Sequence, residues 1–201
     1  MSPGPIFDRV YAALKAQLLG GRWAPGTHLE PASLGEDLNA SVTPVRDALH
    51  RLIGERLIET PRHDGFWVPL VSEAELRELY GWNGELLALA VRRRKIAFPD
   101  RGAQQDTAVD AASLFRTIAR AAQSNALEQA IASSNDRLAA LRLAECWVFD
   151  NLSDELESLA RRVREDDLRG LRREMAAYHR RRQRAASPIL AALRRESDRA
   201  E

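Results

Sequence analysis

Hydrophobic residues in the first 70 positions recur with the spacing of short amphipathic helices. Between Ile6 and Leu18 they return every four residues and stop before Gly20, which predicts a first helix that ends at a glycine. A second, shorter stripe that includes Leu34 predicts a helix from about 31 to 39. Two short amphipathic helices in succession indicate the beginning of a helical domain.

The third stripe is the most regular. Thr43 is a favourable N-cap residue, and Pro44 at the first helical position would lose no hydrogen bond. The apolar positions that follow are spaced i, i+3, i+4 and i+7, so one face can be buried while Arg46, His50 and Arg51 lie on other faces. The predicted buried positions are Val45, Ala48, Leu49 and Leu52.

Two short runs after Gly54 have the composition of strands. Residues 57–60 and 66–68 are β-prone, and the segment between them ends at Gly65, which can adopt a positive φ. These runs predict a wing. We therefore expect a mainly α fold in which residues 1–70 form a winged helix-turn-helix, with three helices and a two-stranded wing.

The rest of the chain has only helical periodicity. Ser72 followed by Glu75 is a capping box and predicts a new helix that ends near the basic cluster 92–95. Further helical patterns span 104–123, 126–150, 154–165 and 167–186, and Pro188 interrupts the last stretch. Residues 71–201 are thus expected to form an all-helical bundle. Three conspicuous side chains are expected in its core, namely Trp82, Cys146 and Trp147.

The N-terminal pattern is similar to that of a known family. Residues 25–29, 43–49 and the segment around Gly65 resemble the N-terminal domain of GntR-type bacterial transcription regulators, and the resemblance covers residues 5–70. It implies binding to a double-stranded DNA operator. Val42 stands where the family has a basic residue, and could contact a thymine methyl group instead. The residues expected to contact DNA are Ser41, Val42, Thr43, Arg46, His50 and Arg51 of the helix, and Arg62, His63 and Gly65 of the wing.

The helical domain is similar in its helix order to the effector domain of the FadR-like branch of that family. Many members of this branch bind a divalent metal through an Asp and three His. Here Ala112 and Arg116 stand at the positions of the Asp and the first His, the second His is missing, and only His179 remains, close to the third. One histidine cannot form such a site, so we expect no metal and no cofactor.

An effector site would then depend on other side chains. Arg116 and His179 could donate hydrogen bonds to the carboxylate of a small organic acid. Asn83 stands where the family tends to have an arginine. In the alternative interpretation, Arg116 is a solvated helix residue and His179 only precedes the basic run 180–184. That run either touches flanking DNA or forms a solvated helix face.

Charge changes this picture in one respect. Residues 1–70 hold seven Lys or Arg and eight Asp or Glu, a net charge of −1, although phosphate contacts normally supply most of the non-specific affinity for DNA. We therefore expect one subunit to bind weakly and a homodimer to bind a palindromic operator. A single cysteine, no membrane-length apolar stretch and no charged-then-apolar leader predict a cytoplasmic protein.

Signatures of catalysis are missing from the sequence. It has no Gly-x-Ser-x-Gly, phosphate loop, dinucleotide fingerprint or His-Glu-x-x-His, so no enzyme activity and no catalytic residue are expected. The resemblance to GntR-type regulators therefore implies a ligand-responsive repressor. The alternative is a degenerate family member that acts mainly in protein association and binds DNA weakly, as Val42 and the acidic N-terminal balance would favour.

Overall fold

The computed structural model of the protein describes residues 4–61, 64–98 and 110–200, with side chains to residue 195. Its contacts divide the chain into two compact units, with the boundary between Val71 and Ser72, and the second unit runs to Arg195. Most of the described residues are helical, which confirms the mainly α fold class. Within those ranges, no helix is long and apolar enough to cross a membrane.

The first unit contains α1 (Pro5–Leu19), α2 (Pro31–Asp37) and α3 (Val42–Gly54). As predicted, α1 buries Val10, Leu14 and Leu18 and ends at Gly20. Ile6 was expected in the same stripe but is exposed, because it lies in the first turn of α1, beyond the part of the helix that packs on the core.

A tight turn joins α2 to α3. Asn39 adopts the left-handed conformation at φ +48°, and a Cβ atom on Gly35 would lie only 2.8 Å from the carbonyl oxygen of Ala40. Arg9 of α1 donates hydrogen bonds to the carbonyl oxygens of Leu38 and Asn39, at 2.8 and 3.2 Å. A cation at the end of α2 satisfies carbonyls that have no partner in the helix and fixes the angle at which α3 begins.

Helix α3 begins earlier than the sequence predicted. Ser41, not Thr43, is the N-cap residue, and Pro44 is the third helical residue. Pro44 still loses no hydrogen bond there, because the first four N–H groups of a helix have no intrahelical acceptor. The predicted apolar stripe is confirmed, since Val45, Ala48, Leu49 and Leu52 are all fully buried.

The wing sheet has two strands, but one of them was not predicted. β1 (His28–Leu29) pairs antiparallel with β2 (Phe66–Trp67). The run 57–60 contributes only a bridge, in which Glu59 and Trp67 exchange two backbone hydrogen bonds of 2.9 Å. Leu57 and Ile58 are both buried, so the alternation of a half-buried strand does not hold there.

The second unit begins with the predicted capping box, in which the Ser72 hydroxyl accepts from the Glu75 backbone and the Glu75 carboxylate accepts from the Ser72 backbone. The predicted helix 104–123 is observed from Ala111, and its first residues lie outside the described ranges. Pro188 lies in the first turn of a separate helix instead of ending a longer one. The helices are α4 (Glu73–Arg92), α5 (Ala111–Ala121), α6 (Asn125–Leu143), α7 (Leu152–Arg164), α8 (Leu168–Arg184) and α9 (Ala186–Ala200).

Three side chains expected in the helical core are exposed. Trp82 and Trp147 retain 50% and 61% of their accessible surface, and Cys146 is also exposed. Trp82 lies between buried positions of α4 but just outside the face that packs on its neighbours. Cys146 and Trp147 belong to a 3-10 turn over Ala144–Trp147, where the α-helical spacing used for the prediction does not apply.

Candidate nucleic-acid interface

The first turn of α3 is exposed. Ser41, Val42, Thr43 and Arg46 all face solvent, and Val42 retains 41% of its accessible surface. The Ser41 hydroxyl does not cap the helix, and Arg46 has no hydrogen bond or ion pair within the described residues. Unoccupied backbone donors, two hydroxyls and one free guanidinium therefore share one helix end.

Arg51 is in a different situation from Arg46. It lies about 140° around α3 from Arg46, with its guanidinium carbon 4.0 Å from the centre of the Tyr11 ring and its Nε 3.5 Å from a carboxylate oxygen of Glu55. Glu55 also accepts hydrogen bonds from Tyr11 (2.6 Å) and from Lys15 (2.7 Å). Burial opposes ionisation of Glu55, but these bonds hold its pKa below the ordinary value. The Glu55 carboxylate thus offsets one of the two positive charges of Lys15 and Arg51 and keeps both side chains beside it.

His50 connects α3 to the wing. Its ring lies 5.2 Å from that of Phe66 in an edge-to-face arrangement, while the residue stays exposed. This ring contact helps to set the position of β2 relative to α3.

The wing depends on a glycine. Gly65 has φ +68°, and a Cβ atom there would lie 2.5 Å from Nε2 of His28. The His28 ring packs on Trp67 at 4.7 Å, and Trp67 donates a 2.8 Å hydrogen bond to the carbonyl oxygen of Asp64. His28 was not predicted to take part, because its segment is too short to show a strand pattern. Arg62 and His63, which were predicted to contact DNA, lie outside the described residues.

In the helical unit, the three candidate effector residues do not come together. Asn83 and His179 are buried and bonded, with 3.0 Å between Asn83 Oδ1 and His179 Nε2. Arg116 is exposed on α5, whereas the preceding residue, Phe115, faces the core. The described contacts therefore do not bring Arg116 and His179 together, because Arg116 is exposed and His179 is buried.

Arg142 of α6 lies at this cluster instead. Its guanidinium donates to Asn135 (3.2 Å) and Asn83 (3.4 Å) and lies over the Phe115 ring, while its buried Nε has no acceptor within the described residues. Asn83 also donates to Ser134 at 2.7 Å. No sequence pattern marks Arg142, because an arginine on an amphipathic helix is normally solvated.

His179 is held as a structural residue. Its Nδ1 lies 2.8 Å from the carbonyl oxygen of Met175, and burial lowers its pKa to about 4. Across the described ranges, no three His, Cys, Asp or Glu side chains are grouped as metal ligands would be.

A second buried polar cluster lies deeper in the same unit. The fully buried Arg182 pairs with Glu145 and with Glu155, each at 2.8 Å, and Glu145 accepts a 2.6 Å hydrogen bond from Tyr80. Burial, together with the charge of Glu145, raises the pKa of Tyr80 well above its ordinary value. This cluster ties α4, α7 and α8 to the turn after α6.

Comparison with known proteins finds relatives of the first unit. A family model described as bacterial regulatory proteins of the gntR family matches residues 7–68. The HTH-type transcriptional regulator McbR of Escherichia coli is 38% identical over 78 residues, which are 39% of this chain and 35% of that protein. The HTH-type transcriptional repressor GlaR of E. coli is 30% identical over 81 residues, or 40% and 37%. The matches span little more than a third of each relative.

Solved structures extend the likeness in fold to the helical unit. A GntR transcriptional regulator from Rhodococcus sp. RHA1 has a TM-score of 0.74 at 17% identity, over 92% of this chain and 98% of that one. E. coli McbR/YncC has a TM-score of 0.64 at 20% identity, over 96% and 99%. The exposed α3 end, the two-stranded wing sheet and the matched segment agree: residues 7–68 are similar to the winged helix-turn-helix domain of bacterial regulatory proteins of the gntR family.

Proposed function

We propose that this protein is a cytoplasmic transcription regulator of the FadR-like branch, which binds a palindromic operator as a homodimer and acts as a ligand-responsive repressor. The observation that carries the proposal is the exposed first turn of α3, with Arg46 free beside unoccupied backbone N–H groups. A helix end of this kind fits the major groove, where an arginine can bind guanine and a methyl-bearing side chain can contact thymine.

Each exposed residue of this surface is assigned a contact. Arg46 reads a base edge, and Val42 contacts a thymine methyl group. Ser41 and Thr43 bind phosphate through hydroxyl and backbone donors. Gly65 brings the wing backbone to the phosphates of the minor groove.

The charge arrangement explains why two copies are needed. Glu55 offsets one of the two positive charges of Lys15 and Arg51, Arg22 pairs with Asp37 at 2.9 Å, and Arg9 is bonded to the end of α2. Few cations remain to displace counterions from DNA. Two symmetric copies on two half-sites double the number of phosphate contacts.

The test begins with an operator selected from random duplexes. Binding is followed by fluorescence anisotropy at several salt concentrations. Arg46→Ala should cost about 1–3 kcal/mol on the operator and much less on random DNA. Arg51→Ala is the matched control, because it removes the same charge from the same helix at a side chain held by Tyr11 and Glu55. If Arg46→Ala bound both duplexes as the parent does, α3 would not be the reading helix.

A second function, protein association with weak DNA binding, is favoured by Val42 and by the neutralised cations. The same titrations separate the two functions. A dimer in sedimentation that shows no preference for any selected duplex at low salt would support association alone.

Ligand response is assigned to the cluster of Asn83, Arg142 and His179. The buried Nε of Arg142 is the donor that a small carboxylate could satisfy. A carboxylate that binds the folded state should raise the melting temperature, and Arg142→Gln should remove this shift while Arg116→Gln leaves it unchanged. A shift that disappears with Arg116→Gln and survives Arg142→Gln would contradict this assignment.

A further inference from the structure

A groove at the junction of α8 and α9 has the features of a ligand site and takes no part in the proposed DNA binding. Its volume is about 460 Å³, within the range of roughly 300–1,000 Å³ that small-molecule sites occupy. One part of its lining is basic, with the side chains of Arg180, Arg181 and Arg184. The other part is apolar and consists of Phe149, Ala177, Ala185 and Pro188.

Two of the three guanidinium groups are available. Arg180 and Arg184 are exposed and have no carboxylate partner within the part of the chain that the structure describes. Arg181 is oriented by a 2.7 Å hydrogen bond to Asn151 and by stacking on Phe149 at 4.2 Å, and its nearest carboxylate, Glu155, is 3.5 Å away. Glu155 is mainly engaged by the buried Arg182 at 2.8 Å. The groove therefore keeps a positive charge that the protein does not neutralise.

Basic residues in the last turn of a helix often only complement the helix dipole. That explanation accounts for the charge but not for the concave apolar lining beside it. Helix α8 ends at Arg184 and α9 starts at Ala186, so the break at Ala185 creates the concavity.

The geometry points to a binding site for an amphipathic organic anion, with its carboxylate or phosphate held by Arg180 and Arg184 and its apolar body on Phe149 and Ala177. Guanidinium groups bind such anions through paired hydrogen bonds. Contact with the apolar lining removes the hydrocarbon of the ligand from water, which stabilises the complex. This site is separate from the interior cluster of Asn83, Arg142 and His179.

The test uses octanoate as the probe and the full chain, with binding measured by isothermal titration calorimetry. Arg180→Gln combined with Arg184→Gln should weaken binding at least about tenfold, because two charge-assisted hydrogen-bonding groups are lost. Arg169→Gln combined with Arg172→Gln removes the same charge from exposed positions of the same helix outside the groove, and should bind as the parent does.

A second pair of variants tests the apolar wall. Ala177→Glu places a carboxylate in the groove and should abolish binding, whereas Ala176→Glu, on the exposed neighbouring residue, should not. Circular dichroism melting curves identify any variant that fails to fold. Octanol and inorganic phosphate should each bind more weakly than octanoate.

Three results would overturn the assignment. The first is no saturable binding of octanoate. The second is equal loss of affinity in the two charge-matched double variants, which would leave only net charge as the cause. The third is binding of inorganic phosphate as strong as that of octanoate, which would remove the role of the apolar wall. None of these results depends on DNA binding.

Discussion

Replacement of Gly65 by alanine tests how the wing is built. Two separate costs are expected. A non-glycine residue at φ +68° costs roughly 1–2 kcal/mol. The new Cβ atom would also lie 2.5 Å from His28 Nε2, so the imidazole must leave its packing on Trp67, a ring contact worth about 0.5–1.5 kcal/mol. Gly65→Ala should therefore destabilise the first unit by about 2–3 kcal/mol.

A double-mutant cycle separates the two costs. In a His28→Ala background the steric contact is already gone, so Gly65→Ala should cost only the backbone part, about 1–2 kcal/mol. Gly54→Ala is the matched control: nothing lies within 4 Å of a Cβ atom there, and alanine in a helix should stabilise the unit by up to about 1 kcal/mol.

Hydrogen exchange measured by mass spectrometry on the full chain resolves the two units peptide by peptide, so the opening free energy can be assigned to residues 4–71. Operator affinity should fall with Gly65→Ala, because the wing backbone is displaced. Equal effects of Gly65→Ala and Gly54→Ala, or the same penalty with and without His28, would refute this account of the wing.

Three further predictions concern the helical unit. The pKa of His179 is lowered from 6.5 to about 4 in the folded protein, so the unfolded state takes up a proton first as the pH drops. The free energy of unfolding should therefore fall by up to about 3 kcal/mol as the pH drops from 6.5 toward 4. The urea midpoint of His179→Gln should lack this part of the pH dependence. Arg182→Met should cost about 3–5 kcal/mol in urea unfolding by leaving Glu145 buried without its partner, whereas the exposed Arg180→Met should cost almost nothing. Sedimentation velocity at micromolar concentration should show a dimer, and a monomer with and without DNA would contradict the proposed assembly.

Regular periodicity explains what the sequence predicted well. The stripes of α1 and α3, the capping box at Ser72 and the positive φ at Gly65 depend on neighbours within one or two turns, so local sequence determines them. The start of α3 was misplaced by two residues, because Ser41 and Thr43 are both good N-caps and Pro44 is tolerated anywhere in the first turn.

Contacts between distant segments explain what was missed. β1 has two residues, too few for any alternation, and exists because β2 pairs with it. Arg142 and Arg182 are long charged side chains whose burial depends on partners brought together by other helices, such as Asn83 and Glu145. The sequence leaves two interpretations of Arg116 open, because one position along a helix rotates a side chain by about 100° and periodicity does not locate the boundary of α5 that closely.

Glu55 gives the DNA-binding unit a way to change its affinity without acquiring a basic residue. Its carboxylate joins Tyr11, Lys15 and Arg51, so it stabilises the packing of α1 on α3 and at the same time offsets one of the two positive charges beside it. A neutral residue at this one position would raise the net charge of the unit by one and steepen the dependence of DNA binding on salt, at the expense of a looser α1. A substitution at this single side chain thus changes the stability of the unit and its electrostatic attraction to DNA in opposite directions. Related regulators could differ at this position in their non-specific affinity for DNA.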